Sequence, residues 1–169
     1  MSRILTLAQL NRLDLEAFVQ AVGWVFEHSP WIARQAWPSR PWHSLEELHQ
    51  AMVRCVEQAP LEDQLALIRA HPDLGARVRM AEASVLEQRS AGLDSLDAEE
   101  YAKMQQLNQH YTQRFGFPFI LAVRGRSKHD VFAAIQARLQ SSPETELQTA
   151  LAEIYKIARF RLADTVAEE

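Results

Sequence analysis

Phe115-Gly116-Phe117-Pro118-Phe119-Ile120-Leu121-Ala122-Val123-Arg124-Gly125 is the stretch whose reading decides the fold class. It is apolar, punctuated by glycine and proline, and too short for an ordinary buried helix. A strand is the other option, but no obvious second strand exists to pair with it. On both sides of it the apolar residues recur at helical spacing, and alternation at period two is almost absent. The stretch therefore reads as a buried extended connector between helices. Such a connector carries amides and carbonyls that need partners, and a polar ligand can supply them.

The flanking helices announce themselves by their starts. Asp97-Ala98-Glu99-Glu100 opens one that runs through Tyr101, Met104, Leu107 and Tyr111. Ser142-Pro143 caps a long one with Leu147, Leu151, Ile154, Tyr155, Ala158 and Leu162 on its inward side. Nearer the N-terminus, Asp14 caps a helix face of Leu15, Phe18, Val19, Val22, Val25 and Phe26. Ser29-Pro30 starts a short helix, with the serine as cap. Ser44-Leu45-Glu46-Glu47 has capping-box spacing ahead of Leu48, Met52, Val53 and Val56. Pro60 opens a further helix whose apolar contacts are Leu61, Leu65, Leu67 and Ile68. His71-Pro72-Asp73-Leu74-Gly75 must leave the helix, because the residue before a proline is biased away from helical angles. The expectation is one all-α domain over residues 1–169, with about seven to eight helices around the connector.

Composition narrows the function. Hydrophobic residues make up 47% of the 169, enough for a substantial core. With 18 basic against 22 acidic residues the net charge is −4, which argues against a nucleic-acid binder. The single cysteine, Cys55, excludes an intrachain disulfide and a cysteine zinc cage. No apolar run is long enough for a membrane span, and residues 1–6 lack the apolar run of a secretory leader. A cytoplasmic protein that binds neither membrane nor nucleic acid is the expectation.

Several residues are candidates for chemistry, each with an ordinary structural role beside it. His71, before Pro72, is placed either to meet helix-end carbonyls or to act in acid/base catalysis from a fixed direction. Ser84, Glu87 and Gln88 share a helix side. They form either a capping box or a set of donors and acceptors for a urea-like ligand. Arg159 and Arg161 point to different sides of the last helix; each is either solvated, with Glu153 or Asp164 as a surface partner, or turned inward as a fork for a carboxylate. Glu46 and His49 form half of a di-metal helical signature, but no second pair exists, so no metal is expected. The loop Arg124–His129 reads as solvated, and Trp24, Trp31, Trp37 and Trp42 as core anchors or a subunit interface.

Five segments in order carry a resemblance. They are Phe26-Glu27-His28-Ser29-Pro30-Trp31, His71-Pro72-Asp73-Leu74-Gly75, Ser84-x-x-Glu87-Gln88 with Ala91-Gly92-Leu93, Phe115-Gly116-Phe117-Pro118-Phe119-Ile120, and Ile157-Ala158-Arg159-Phe160-Arg161-Leu162. The chain thereby resembles the 2-oxo-4-hydroxy-4-carboxy-5-ureidoimidazoline (OHCU) decarboxylase family of urate breakdown. Trp24, where a smaller residue is usual, is a minor departure. The resemblance implies a cofactor-free, all-helical carboxy-lyase that makes (S)-allantoin and carbon dioxide, and a homodimer. It implies His71 as the catalytic histidine and Glu87 as its acidic companion. It further implies Pro72, Ser84 and Gln88 lining the substrate, backbone groups of Phe119, Ile120, Leu121, Ala122 and Val123 binding its ring and ureido group, and Arg161 as an active-site arginine. A helical protein-interaction module without activity, docking through the tryptophan-rich N-terminal third, is the alternative.

Overall fold

The computed structural model describes residues 4–72 and 96–168. Among them are eight α-helices and a two-strand sheet of two residues per strand. The all-α expectation holds, and the chain falls into two compact units, residues 1–70 with 155–169 and residues 71–154.

In the first unit, β1 (Leu5–Thr6) pairs in parallel with β2 (Val166–Ala167), with Leu5 opposite Val166. The pairing is too short to show as alternation in the sequence. Thr6 and Gln9 then exchange side-chain bonds with each other's amides to start α1 (Leu7–Asn11). Asp14 accepts from the Ala17 amide and caps α2 (Leu15–Val22), which tightens into a 3-10 turn at Gly23–Val25. A Cβ on Gly23 would lie 3.2 Å from Val19 Cγ1, so the turn is packed closely there. The next helix, α3 (Trp31–Ala36), departs from expectation at its start. Pro30 is its cap, and the Ser29 hydroxyl instead donates to the Glu27 carbonyl (2.8 Å). Ser44 caps α4 (Leu45–Glu57) by accepting from the Glu47 amide, but Glu47 accepts from His43 rather than closing the box. Last in this series is α5 (Leu61–Arg69), where Leu67 and Ile68 are buried and Leu61, expected inside, is exposed.

Phe18, Leu48, Met52, Val56, Ala158 and Leu162 are buried in this unit, and Trp42 stacks on Phe18 at 5.2 Å. Each large apolar side chain so buried stabilises the fold by about 1.5–3 kcal/mol. The tryptophans divide: Trp42 is core, Trp37 carries Arg40 over its ring at 3.7 Å, and Trp24 is 41% exposed.

In the second unit α6 (Ala98–Phe115) begins where expected, and Asp97 and Glu100 close a capping box there. Gly116 ends that helix with φ 79°, a left-handed conformation that glycine adopts without strain. Non-helical chain follows, until Ser127 and Asp130 form a second box at the start of α7 (Lys128–Arg138). Phe117 and residues 119–123 are buried, so the connector is as expected. Ser142 accepts from the Thr145 amide at the start of α8 (Pro143–Thr165), whose residues belong in part to each unit. Its buried stripe differs from the one expected. Glu146, Ala150, Leu151, Glu153, Ile154, Ile157, Ala158, Arg161 and Leu162 are buried, whereas Leu147 and Tyr155 are only half-buried.

Candidate functional site

The second unit holds most of the described candidates. His71 follows Ala70, the cap of α5, and is 6% exposed; Pro72 is half-buried. The helix stops at Arg69, two residues before the histidine, because Pro72 forces His71 out of helical angles. Ser84, Glu87 and Gln88 lie outside the described residues.

The connector is the best-defined part of the site. Three groups built on helices hold it. Arg138, in the last turn of α7, donates from Nη1 to the Ile120 carbonyl. Its Nε donates to Glu146 Oε1 (2.7 Å) and its Nη2 to the Tyr111 hydroxyl (3.3 Å). Tyr111 in turn donates to the same Glu146 oxygen. Burial and the carboxylate beside it push the Tyr111 phenol far above its ordinary value, so it stays a donor throughout the neutral range. Glu153 accepts from the Ala122 amide (3.1 Å). The Arg138 guanidinium also lies 4.4 Å from the Phe119 ring centroid, and Tyr111 meets Phe119 edge-on at 5.3 Å. At the far end, Arg126 donates from its amide to the Val123 carbonyl (3.0 Å) and from Nε to the Ala122 carbonyl (3.2 Å). Between the two clamped residues, neither the amide nor the carbonyl of Leu121 bonds to any described residue. Leu121 is buried, as are Ile120 and Ala122 on either side, and its peptide suits a ligand with donors and acceptors of its own.

Arg161, in the first unit, is 2% exposed. Its guanidinium donates to the Val25 carbonyl (3.3 Å) and to Glu27 Oε1 (3.1 Å), and Glu27 is 3% exposed. The neighbouring residue His28 has φ 49°, strained for a side-chain-bearing residue. Arg159 takes the solvated role, 3.7 Å from the exposed Glu46. Glu153, read from sequence as a surface partner for these arginines, is instead buried against the connector.

Glu46 and His49 have other occupations. Glu46 accepts from Gln50 (2.9 Å), and the buried His49 donates from Nε2 to the Tyr155 carbonyl (2.8 Å). Burial lowers the His49 pKa and outweighs this bond, which by itself raises it. Among the described residues no group of three or more His, Cys, Asp or Glu is placed to hold a metal ion. No described helix is long and apolar enough to cross a membrane.

Sequence reasoning missed Arg138, Tyr111, Glu146 and the role of Glu153. A signal was present: Glu146, Glu153 and Arg161 fall on one stripe of α8 with its apolar residues, where charges need a buried partner.

Comparison with known proteins covers nearly the whole chain. The family model described as OHCU decarboxylase matches residues 11–163. A 2-oxo-4-hydroxy-4-carboxy-5-ureidoimidazoline decarboxylase of Haloferax volcanii is 50% identical over 165 residues, 98% of each chain. Among solved structures, an (S)-allantoin synthase superposes with a TM-score of 0.78 at 31% identity, over 96% of this chain and 54% of that one. An OHCU decarboxylase crystallised in the presence of (S)-allantoin gives 0.67 at 27% identity, over 79% of this chain and 88% of its own.

Proposed function

The chain belongs to the OHCU decarboxylase family, and from that premise we propose that it converts OHCU to (S)-allantoin and carbon dioxide in urate breakdown. It is a carboxy-lyase. The observation that carries this reading is the family match across residues 11–163. The buried, helix-clamped connector at 119–123 supports it, since a ring and a ureido group need such backbone donors and acceptors.

The substrate's own structure explains how side chains and backbone suffice. The bond to the carboxyl group breaks and its electron pair forms a double bond to the neighbouring ring carbon. The adjacent C=N pair moves onto nitrogen, which takes up a proton. The 4-hydroxyl then loses its proton as the carbonyl forms, and the neighbouring carbon gains one. Addition from a single face sets the S configuration. The sink lies in the substrate, so the protein's task is orientation, electrostatic support and proton handling.

Within this scheme His71 and Glu87 contact the 4-hydroxyl and handle its proton. Pro72, Ser84 and Gln88 line the substrate, and backbone groups of residues 119–123 bind the ring and ureido group. Arg161 serves as the active-site arginine. Residues 1–169 work as one decarboxylase domain, in a cytoplasmic homodimer. Trp24 of the first unit is 41% exposed, and light scattering behind size exclusion tests the dimer.

The deciding experiment generates OHCU in place with urate oxidase and hydroxyisourate hydrolase. Faster loss of OHCU absorbance with allantoin of one hand is expected; racemic allantoin at the spontaneous rate would return the interaction module. In the same assay His71→Ala is expected to reduce turnover by about two orders of magnitude or more with helical circular dichroism unchanged. Glu87→Gln, which keeps the shape and removes the charge, is expected to reduce it as well; a rate within about three-fold of wild type would leave Glu87 a capping role only.

A further inference from the structure

The geometry points to Arg138 and Glu153 as positioning residues that set the connector's backbone for substrate, an inference that rests on the reading above. Neither belongs to the segments by which the chain resembles its family. Both are anchored on helices, and each grips one polar group of the connector: Arg138 the Ile120 carbonyl, Glu153 the Ala122 amide. The Leu121 peptide lies between those two grips, and no described residue competes for its amide or carbonyl.

A non-helical segment has no ladder to fix its peptide planes, so its polar groups point only as well as their partners hold them. Arg138 is itself immobilised. Its planar fork is divided among a carboxylate, a hydroxyl and a carbonyl, and its face lies on the Phe119 ring. Glu146, 1% exposed, fixes the guanidinium from one side and the Tyr111 hydroxyl from the other. Lysine offers a point charge on a flexible stem and cannot reproduce that division. Loosening either grip lets the Leu121 peptide turn away from its productive direction. A ligand that bonds to it then loses affinity in ground state and transition state alike.

The test uses the full chain and two conservative variants, Arg138→Lys and Glu153→Gln. Three readouts apply: KM and kcat for freshly generated OHCU, the Kd of (S)-allantoin by calorimetry, and the enantiomeric purity of the product. Arg138→Lys is expected to raise KM and the allantoin Kd by about tenfold, with kcat changed less and some loss of enantiomeric purity. Glu153→Gln keeps an oxygen for the Ala122 amide but not its charge, and is expected to raise both constants by about three- to five-fold. Folded variants whose KM and Kd stay within about two-fold of wild type overturn the inference. Should Arg138→Lys fail to fold, Glu153→Gln decides by the same threshold. A wild-type chain that neither consumes OHCU nor binds (S)-allantoin defeats the functional reading instead, and the two failures are thereby distinct.

Discussion

Each unit contains an arginine bonded to a buried glutamate, Arg161 buried and Arg138 half-buried, and the two pairs hold different kinds of backbone. In the first, Arg161 and Glu27 brace the corner at Val25–His28, which includes the strained His28. In the second, Arg138 and Glu146, joined by Tyr111, brace an extended connector with no corner in its buried stretch. Where a helical chain leaves the helix inside its core, charged side chains from neighbouring helices replace the missing ladder. The difference lies in reach. The Arg161 pair ties together residues over a hundred positions apart in sequence, whereas the Arg138 cluster works among segments close in the chain. The first should therefore matter more to global stability, and the second more to local alignment.

The largest effect expected from breaking this contrast is at Arg161. Arg161→Met strips Glu27 of its guanidinium while leaving it buried, and should cost about 3–5 kcal/mol in urea unfolding. The double variant Arg161→Met/Glu27→Leu removes the stranded charge and should recover most of that stability. Turnover should not return with it if Arg161 serves the substrate; recovery of both would make the pair structural only.

A smaller effect is expected at Tyr111. Tyr111→Phe removes one donor to a carboxylate and should cost about 1.5–3 kcal/mol at neutral pH. Its phenol is raised in the folded state, so the stabilising contribution is complete below the ordinary value near 10 and declines above it. Unfolding measured from pH 7 to 11 should show a constant gap between wild type and Tyr111→Phe that narrows beyond pH 10.

The smallest effect concerns His49, a buried polar group outside both clusters. Its folded pKa is lowered by burial, so its stabilising contribution is present above the ordinary 6.5 and lost as pH falls below that value. Between pH 7 and 5, His49→Gln should lose less thermal stability than wild type, by roughly 1–2 °C.

Much of this was legible from residues alone, for identifiable reasons. The helix starts at Asp14, Asp97 and Ser142 depend on contacts within one turn, which sequence spacing contains. The connector was legible because Gly116 and Pro118 interrupt an apolar run that has no partner strand. The buried face of α8 lies about one residue from the apolar stripe through Leu147 and Tyr155, because the charged Glu146 and Glu153 occupy it. Glu146 and Glu153 are buried where Arg138, Tyr111 and the Ala122 amide meet them from other segments, and no local pattern records such meetings. Ser29 illustrates the same limit on a smaller scale. Its hydroxyl had a cap to make and a nearer carbonyl to bond, and the nearer carbonyl won. His71 and the connector were legible as site candidates by position, and Glu87 only through resemblance and spacing.

The left-handed stop at Gly116 and the reciprocal box at Ser127 together fix both ends of the connector. The segment is in effect a ruler cut to length between two stops. Its side chains can be exchanged for others of like size with modest consequence. Adding or deleting a single residue would instead carry every peptide past its clamp, so variation here should be tolerated in composition and refused in count.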